Sequence, residues 1–113
     1  MNKIRRMCAS TFVSAGTAFL LLAAFPVSAA AADAAALAAK YNCQTCHAVD
    51  KKLVGPAFKE VATKYAGDAG AAAKLQKSIK SGSSGVWGAI AMPPNNVPDP
   101  DVKALAEWIL STK

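Results

Sequence analysis

Past residue 6 the chain contains no arginine, and its 113 residues include one histidine, three cysteines and three methionines. Each shortage closes off a class of chemistry. Structural zinc takes four ligands from Cys and His, and His47, Cys43 and Cys46 leave only the remote Cys8 to complete a set. Nucleic-acid binding calls for a concentrated basic surface. The lysines at 51, 52, 59, 64, 74, 77, 80 and 103 are instead scattered, as on solvated helix faces. No strand-like alternation and no internal repeat is visible, which removes the strand-and-helix setting in which a thioredoxin-type dithiol sits.

What is present is concentrated in Cys43-Gln44-Thr45-Cys46-His47. A Cys-x-x-Cys pair followed at once by His is the attachment pattern for c-type haem: two thiols add to the vinyl groups and the imidazole ligates iron. On a helix-like turn, residues three apart share a face, so both sulfurs meet one edge of a flat macrocycle.

The first part of the chain is not a domain. Lys3, Arg5 and Arg6 precede an uncharged stretch from Met7 to Val27, and small residues from Ser28 to Ala32 close it. This reads as a secretory signal peptide over 1–32, with cleavage somewhere after residues 29 to 32. The stretch is also long enough to span a bilayer, so an uncleaved anchor is the alternative. Residues 33–113 then form the one domain, with ten lysines against seven acids, a formal charge of +3. About 80 residues supply a thin apolar core, so a covalently held haem is expected to complete it, and the chain without haem is expected to be largely unfolded.

The remainder reads as short helices. Asp33 to about Asn42 is Ala-rich, with Asp33 at a reasonable N-cap. Pro56 breaks the loop from Ala48 and starts a segment whose Phe58, Val61, Ala62 and Tyr65 make one face. Residues 71–81 place Ala72, Leu75 and Ile79 on one side. The stretch from Val86 to Asn96 is apolar, aperiodic and holds two prolines, so it is a loop. Asp99 or its neighbour caps a last helix with Val102, Leu105, Ala106 and Ile109 buried and Trp108 on the flank. The fold class expected is all-α: four short helices wrapped around one covalently attached haem.

Met92 is the candidate sixth ligand. Met1 and Met7 lie in the leader, so the domain has only this methionine, and Pro93-Pro94 stiffens the backbone beside it. Filling core space is the plainer role for such a residue. His/Met is, however, the ligand pair of electron-carrying cytochromes, and it leaves iron no vacant position.

Together, Cys43 to His47, Val54-Gly-Pro-Ala-Phe58, Gly85-Val-Trp-Gly88 and Met92-Pro-Pro-Asn95 resemble the small bacterial class I cytochromes c of the c-551 type. The resemblance covers essentially all of 33–113. It implies a periplasmic, monomeric, non-enzymatic carrier of single electrons between a membrane respiratory complex and a terminal reductase, such as nitrite reductase, or oxidase. It also implies that the Pro56 carbonyl accepts a bond from His47, that Trp87 reaches a haem propionate and that Asn95 touches the Met92 sulfur. Two departures stand out. Ser78 occupies the position where relatives often carry an arginine near a propionate, which Lys77 or Lys80 would partly replace, and Ala38 stands where an aromatic is usual. The competing class is a haem enzyme or ligand sensor in which Met92 leaves the iron.

Overall fold

The computed structural model describes residues 29–113. The expected leader therefore lies outside the described residues up to position 28. Four α-helices are found among the described residues: α1 (Ala29–Lys40), α2 (Phe58–Lys64), α3 (Ala71–Ser81) and α4 (Asp99–Ser111), with a 3-10 turn over Cys43–Thr45. No described helix is long and apolar enough to cross a membrane.

Helix α1 begins four residues before Asp33, so Asp33 lies inside it and is not its cap. Alanine has the highest helix propensity, and a run of it offers nothing to stop the helix at Asp33. Ala34 and Ala38 are buried at 2% and 0% exposure. A methyl group at Ala38 lets α1 lie close against α4, which explains how an alanine serves where an aromatic is usual.

The start of α2 and the buried face of α3 also differ from the sequence expectation. Helix α2 opens at Phe58 with Ala57 as its N-cap, two residues beyond Pro56. The Glu60 carboxylate accepts from the Ala57 N–H at 2.8 Å, satisfying a donor that the helix cannot. In α3 it is Ala71, with Leu75 and Ile79, that is buried, a strict four-residue spacing, while Ala72 is only half-buried. The cap of α4 falls, within the expectation, on the neighbour of Asp99: Pro98 is the N-cap, and Asp99 is already in the first turn. There Asp99 pairs with Lys80 of α3, and its charge suits the positive end of the helix dipole.

Helix α4 is the hub: α1, α2 and α3 all pack on it. Val102, Leu105, Ala106 and Ile109 form its buried stripe, joined in the core by Phe58, Val61, Leu75, Ile79 and Val97. Tyr41, just past α1, donates its hydroxyl to Asp101 of α4 at 2.6 Å across 60 residues of sequence. That bond ties down the segment leading into Cys43. The chain enters the 3-10 turn through Asn42 at φ 58°, a left-handed conformation that asparagine tolerates better than most residues.

Candidate functional site

A cavity of about 500 Å³ opens between these helices and the two long loops, and Cys43, Cys46, His47 and Met92 all line it. Val61, Leu75, Ile79, Leu105 and Ile109 make its inner wall apolar. The core and the site are thus one feature: stripes of three helices end on the same hollow.

The motif side is built by a chain folded back on itself. His47 follows the 3-10 turn, and its N–H bonds to the Cys43 carbonyl at 2.9 Å. The loop after it returns through Gly55 N–H to Cys46 O at 2.7 Å and Phe58 N–H to Ala48 O at 2.9 Å. This return brings the buried Pro56 beneath the imidazole, 2.8 Å from Nδ1. A carbonyl only accepts, so Nδ1 carries the proton and Nε2 presents its lone pair, the tautomer a metal requires. Phe58 stacks on the ring with centroids 5.3 Å apart and planes 21° from parallel, and Trp108 meets Phe58 edge-on at 5.2 Å.

Gly55 makes that arrangement possible. A Cβ there would lie 2.4 Å from His47 Cε1 and 2.8 Å from Nδ1. In the sequence Gly55 stands only within the Val54–Phe58 motif and Phe58 on a helix face, and neither position by itself shows that it borders the imidazole. The Gly-Pro step immediately before a helix was the signal available.

Cys43 and Cys46 are both half-buried and neither is in a disulfide. Burial pushes the Cys43 thiol up, the nearby Cys46 adds to the rise, and a hydrogen bond with backbone partly offsets it. Among the described residues no three His, Cys, Asp or Glu side chains converge into a metal cage.

Met92 is half-buried and packs against the core at the end of the loop. It exchanges both backbone hydrogen bonds with Ser83, at 3.0 and 2.8 Å. Asn95 donates from Nδ2 to Pro93 O at 3.0 Å and to Ile79 O at 3.3 Å, and its own N–H also bonds to Ile79 O. Both amide hydrogens thus go to carbonyls, so in this arrangement Asn95 fastens the Met92–Pro94 turn to α3 and leaves the sulfur untouched.

Trp87 lines the cavity, half-buried, with Lys64 Nζ 5.1 Å from its ring centroid. Ser78 lines it too. Of the lysines expected to stand in for an arginine, Lys80 is engaged by Asp99 and Lys77 is exposed outside the lining. The cation nearest Trp87 found here is Lys64, on α2, which the sequence pattern did not single out.

The donor set fits a covalently attached haem: two unpaired thiols three residues apart, an imidazole with its metal-binding nitrogen free, a thioether, and an apolar hollow within the size range of cofactor sites. The family model for cytochrome c matches residues 31–113. Cytochrome c-551 of Pseudomonas aeruginosa is 58% identical over 72 residues, which is 64% of this chain and 69% of that protein. Cytochrome c-552 of Nitrosomonas europaea is 60% identical over 78 residues, 68% of this chain and 76% of that protein. The crystal structure of the wild-type Nitrosomonas europaea cytochrome c552 superposes with a TM-score of 0.68 at 60% identity, covering 70% of this chain and 99% of that one.

Proposed function

The chain belongs to the cytochrome c family, and from that membership we propose a periplasmic single-electron carrier whose haem iron is held axially by His47 and Met92. Membership at this similarity to c-551 and c-552 proteins makes it an electron-transfer protein and not an enzyme, with haem c attached through Cys43 and Cys46. The enzyme alternative falls with that. The haem supplies a centre that accepts and returns one electron as iron alternates between ferric and ferrous states.

The residues around it hold, tune and shield. His47, donating from Nδ1 to Pro56, leaves Nε2 as the free ligating nitrogen and keeps one ring orientation. The Met92 thioether favours ferrous iron and so raises the potential. Trp87 would bond a propionate, a role supported by its position on the cavity wall beside the Lys64 cation. The apolar wall excludes water, which leaves little to reorganise when the charge on iron changes.

The observation that carries this reading is that Cys43, Cys46, His47 and Met92, spread over 50 positions of sequence, line one cavity. The test is the ferric spectrum and the potential of the purified holoprotein and of Met92→Ala. An iron–thioether bond gives a weak far-red band, and Met92→Ala should abolish it, lower the potential and admit carbon monoxide or cyanide. An unchanged potential would remove Met92 from the ligand role.

The partners proposed are redox proteins, with a membrane cytochrome complex as donor and a terminal reductase or oxidase as acceptor. Lys51 and Lys52, exposed in the loop that bears His47's support, suit encounter with acidic surfaces. Electron-transfer rates with such partners should therefore fall as salt rises. Export by a leader removed somewhere after residues 29 to 32 places the carrier in the periplasm. Cleavage there trims the first turn of α1 and leaves its buried Ala34 and Ala38 in place.

A further inference from the structure

We propose that Gly82 is a positioning residue for Met92, setting how firmly the thioether is held by allowing the chain to close directly beneath it. The proposal rests on the reading of Met92 as axial ligand and goes beyond it, to the feature that controls the strength of that bond.

Residues 83–92 form a strap over the cavity whose two ends meet. Ser83 and Met92 exchange both backbone hydrogen bonds, an isolated antiparallel pair. Between them, every residue from Ser84 to Ala91 except Trp87 is exposed, and Gly85 and Gly88 have positive φ. Backbone bonds thus hold the end of the strap that bears the sulfur at this neck. Gly82, which caps α3, enters the neck at φ 77°, ψ 173°, a conformation essentially reserved for glycine. A Cβ there would lie 2.6 Å from Met92 O, 3.1 Å from Pro94 N and 3.2 Å from Pro93 C. All three are backbone atoms, so none can swing aside as a side-chain tip would. On the far side, Asn95 pins the same turn to the Ile79 carbonyl of α3.

A methyl group at position 82 is thus strained while the neck is closed and relieved once Met92 withdraws. Whatever strain is relieved appears as a gain for any ligand that takes the place of Met92. Imidazole exchanges one for one with the thioether, with no change in oxidation state, and so reads that gain directly.

The experiment is an imidazole titration of the ferric holoprotein. Gly82→Ala should bind imidazole about tenfold or more tightly than wild type, since strained backbone positions cost on the order of 1–3 kcal/mol and 1.4 kcal/mol is tenfold. Gly67→Ala places a Cβ at the same φ, 77°, with nothing within 4 Å and outside the cavity lining, and should stay within about twofold of wild type. Val102→Ala removes buried bulk from α4 away from the strap and reports what general destabilisation alone does. Equal affinities for Gly82→Ala and Gly67→Ala, or the same gain in Val102→Ala, would overturn the proposal. Met92→Ala separates the two claims. If wild type has the far-red band and Met92→Ala loses it, the ligand reading holds whatever Gly82→Ala does; if wild type lacks it, both fail together. Should Gly82→Ala yield no holoprotein, hydrogen exchange in wild type decides. Saturating imidazole should strip protection from the Ser83 and Met92 amides, and retained protection at both would refute the neck as the holding element.

Discussion

Depriving this chain of its haem should unfold it. The cleanest perturbation is the Cys43→Ala, Cys46→Ala double variant of residues 33–113, made in a host without cytochrome maturation machinery. At about 24 cal/mol per Å³, an unfilled hollow of about 500 Å³ costs roughly 12 kcal/mol if it keeps its shape. The stability available to 81 residues is roughly 4–12 kcal/mol at the usual 0.05–0.15 kcal/mol per residue. Water entering the hollow would soften the penalty, but Val61, Leu75, Ile79, Leu105 and Ile109 on its wall offer water no partners. Collapse would soften it too, but only by dragging apart helices that pack on α4. The cost therefore matches the whole of the net stability. Far-UV circular dichroism on heating should show weak helix and no cooperative transition, against a sharp transition at high temperature for the haem-bound protein. A sigmoidal melt of the haem-free chain, with helix content like that of the holoprotein, would refute the reasoning, since the helices would then need no central group.

Gly55→Ala should turn or displace the His47 ring, because its Cβ would meet Cε1 at 2.4 Å. A loss of about 1–3 kcal/mol in denaturant unfolding of the holoprotein is expected, with a shifted potential, whereas Gly67→Ala should leave the potential unchanged. Tyr41→Phe removes the 2.6 Å bond to Asp101, and urea unfolding should show a loss of about 1–2 kcal/mol with the visible spectrum intact. The Lys74 ammonium, at 2.6 Å, and a bond from the Gly70 N–H hold the Asp68 carboxyl below the usual carboxylate range. A depressed acid contributes stability above its unfolded pKa of about 3.9 and loses it as pH falls through the lower folded value. Melting temperature against pH should therefore show Asp68→Asn less stable than wild type at pH 6, with the two curves converging in strong acid. Asp68 also holds the Lys74 pKa above its ordinary value, so that side of the pair persists until pH rises through the raised value.

Much of the architecture was legible from local pattern. The bounds of α3 and the buried stripe of α4 follow from apolar spacing alone, since a helix repeats every 3.6 residues wherever it is placed. Boundaries failed where the expected stop or cap had a competitor. Asp33 did not start α1 because alanines on both sides favour helix, and Pro56 did not open α2 because Ala57, with the Glu60 carboxylate on its N–H, takes the cap. For Asn95 nothing in the sequence pointed to its two acceptors, the Pro93 carbonyl of its own turn and the Ile79 carbonyl of α3, because the second is brought to it only by packing.

The sequence by itself determined the cofactor, the helical class and the cysteines that attach the haem, because those depend on residue type and on spacings of three to five positions. Only the tertiary structure decided that Gly55 makes room for His47, that Gly82 passes under Met92, that Tyr41 reaches Asp101 and that Lys64 lies over Trp87. Each of these is a meeting of distant segments, and at the glycines the decisive property is an atom that is missing. A missing atom has no periodicity to read, and its consequence exists only once packing has brought something else into the space.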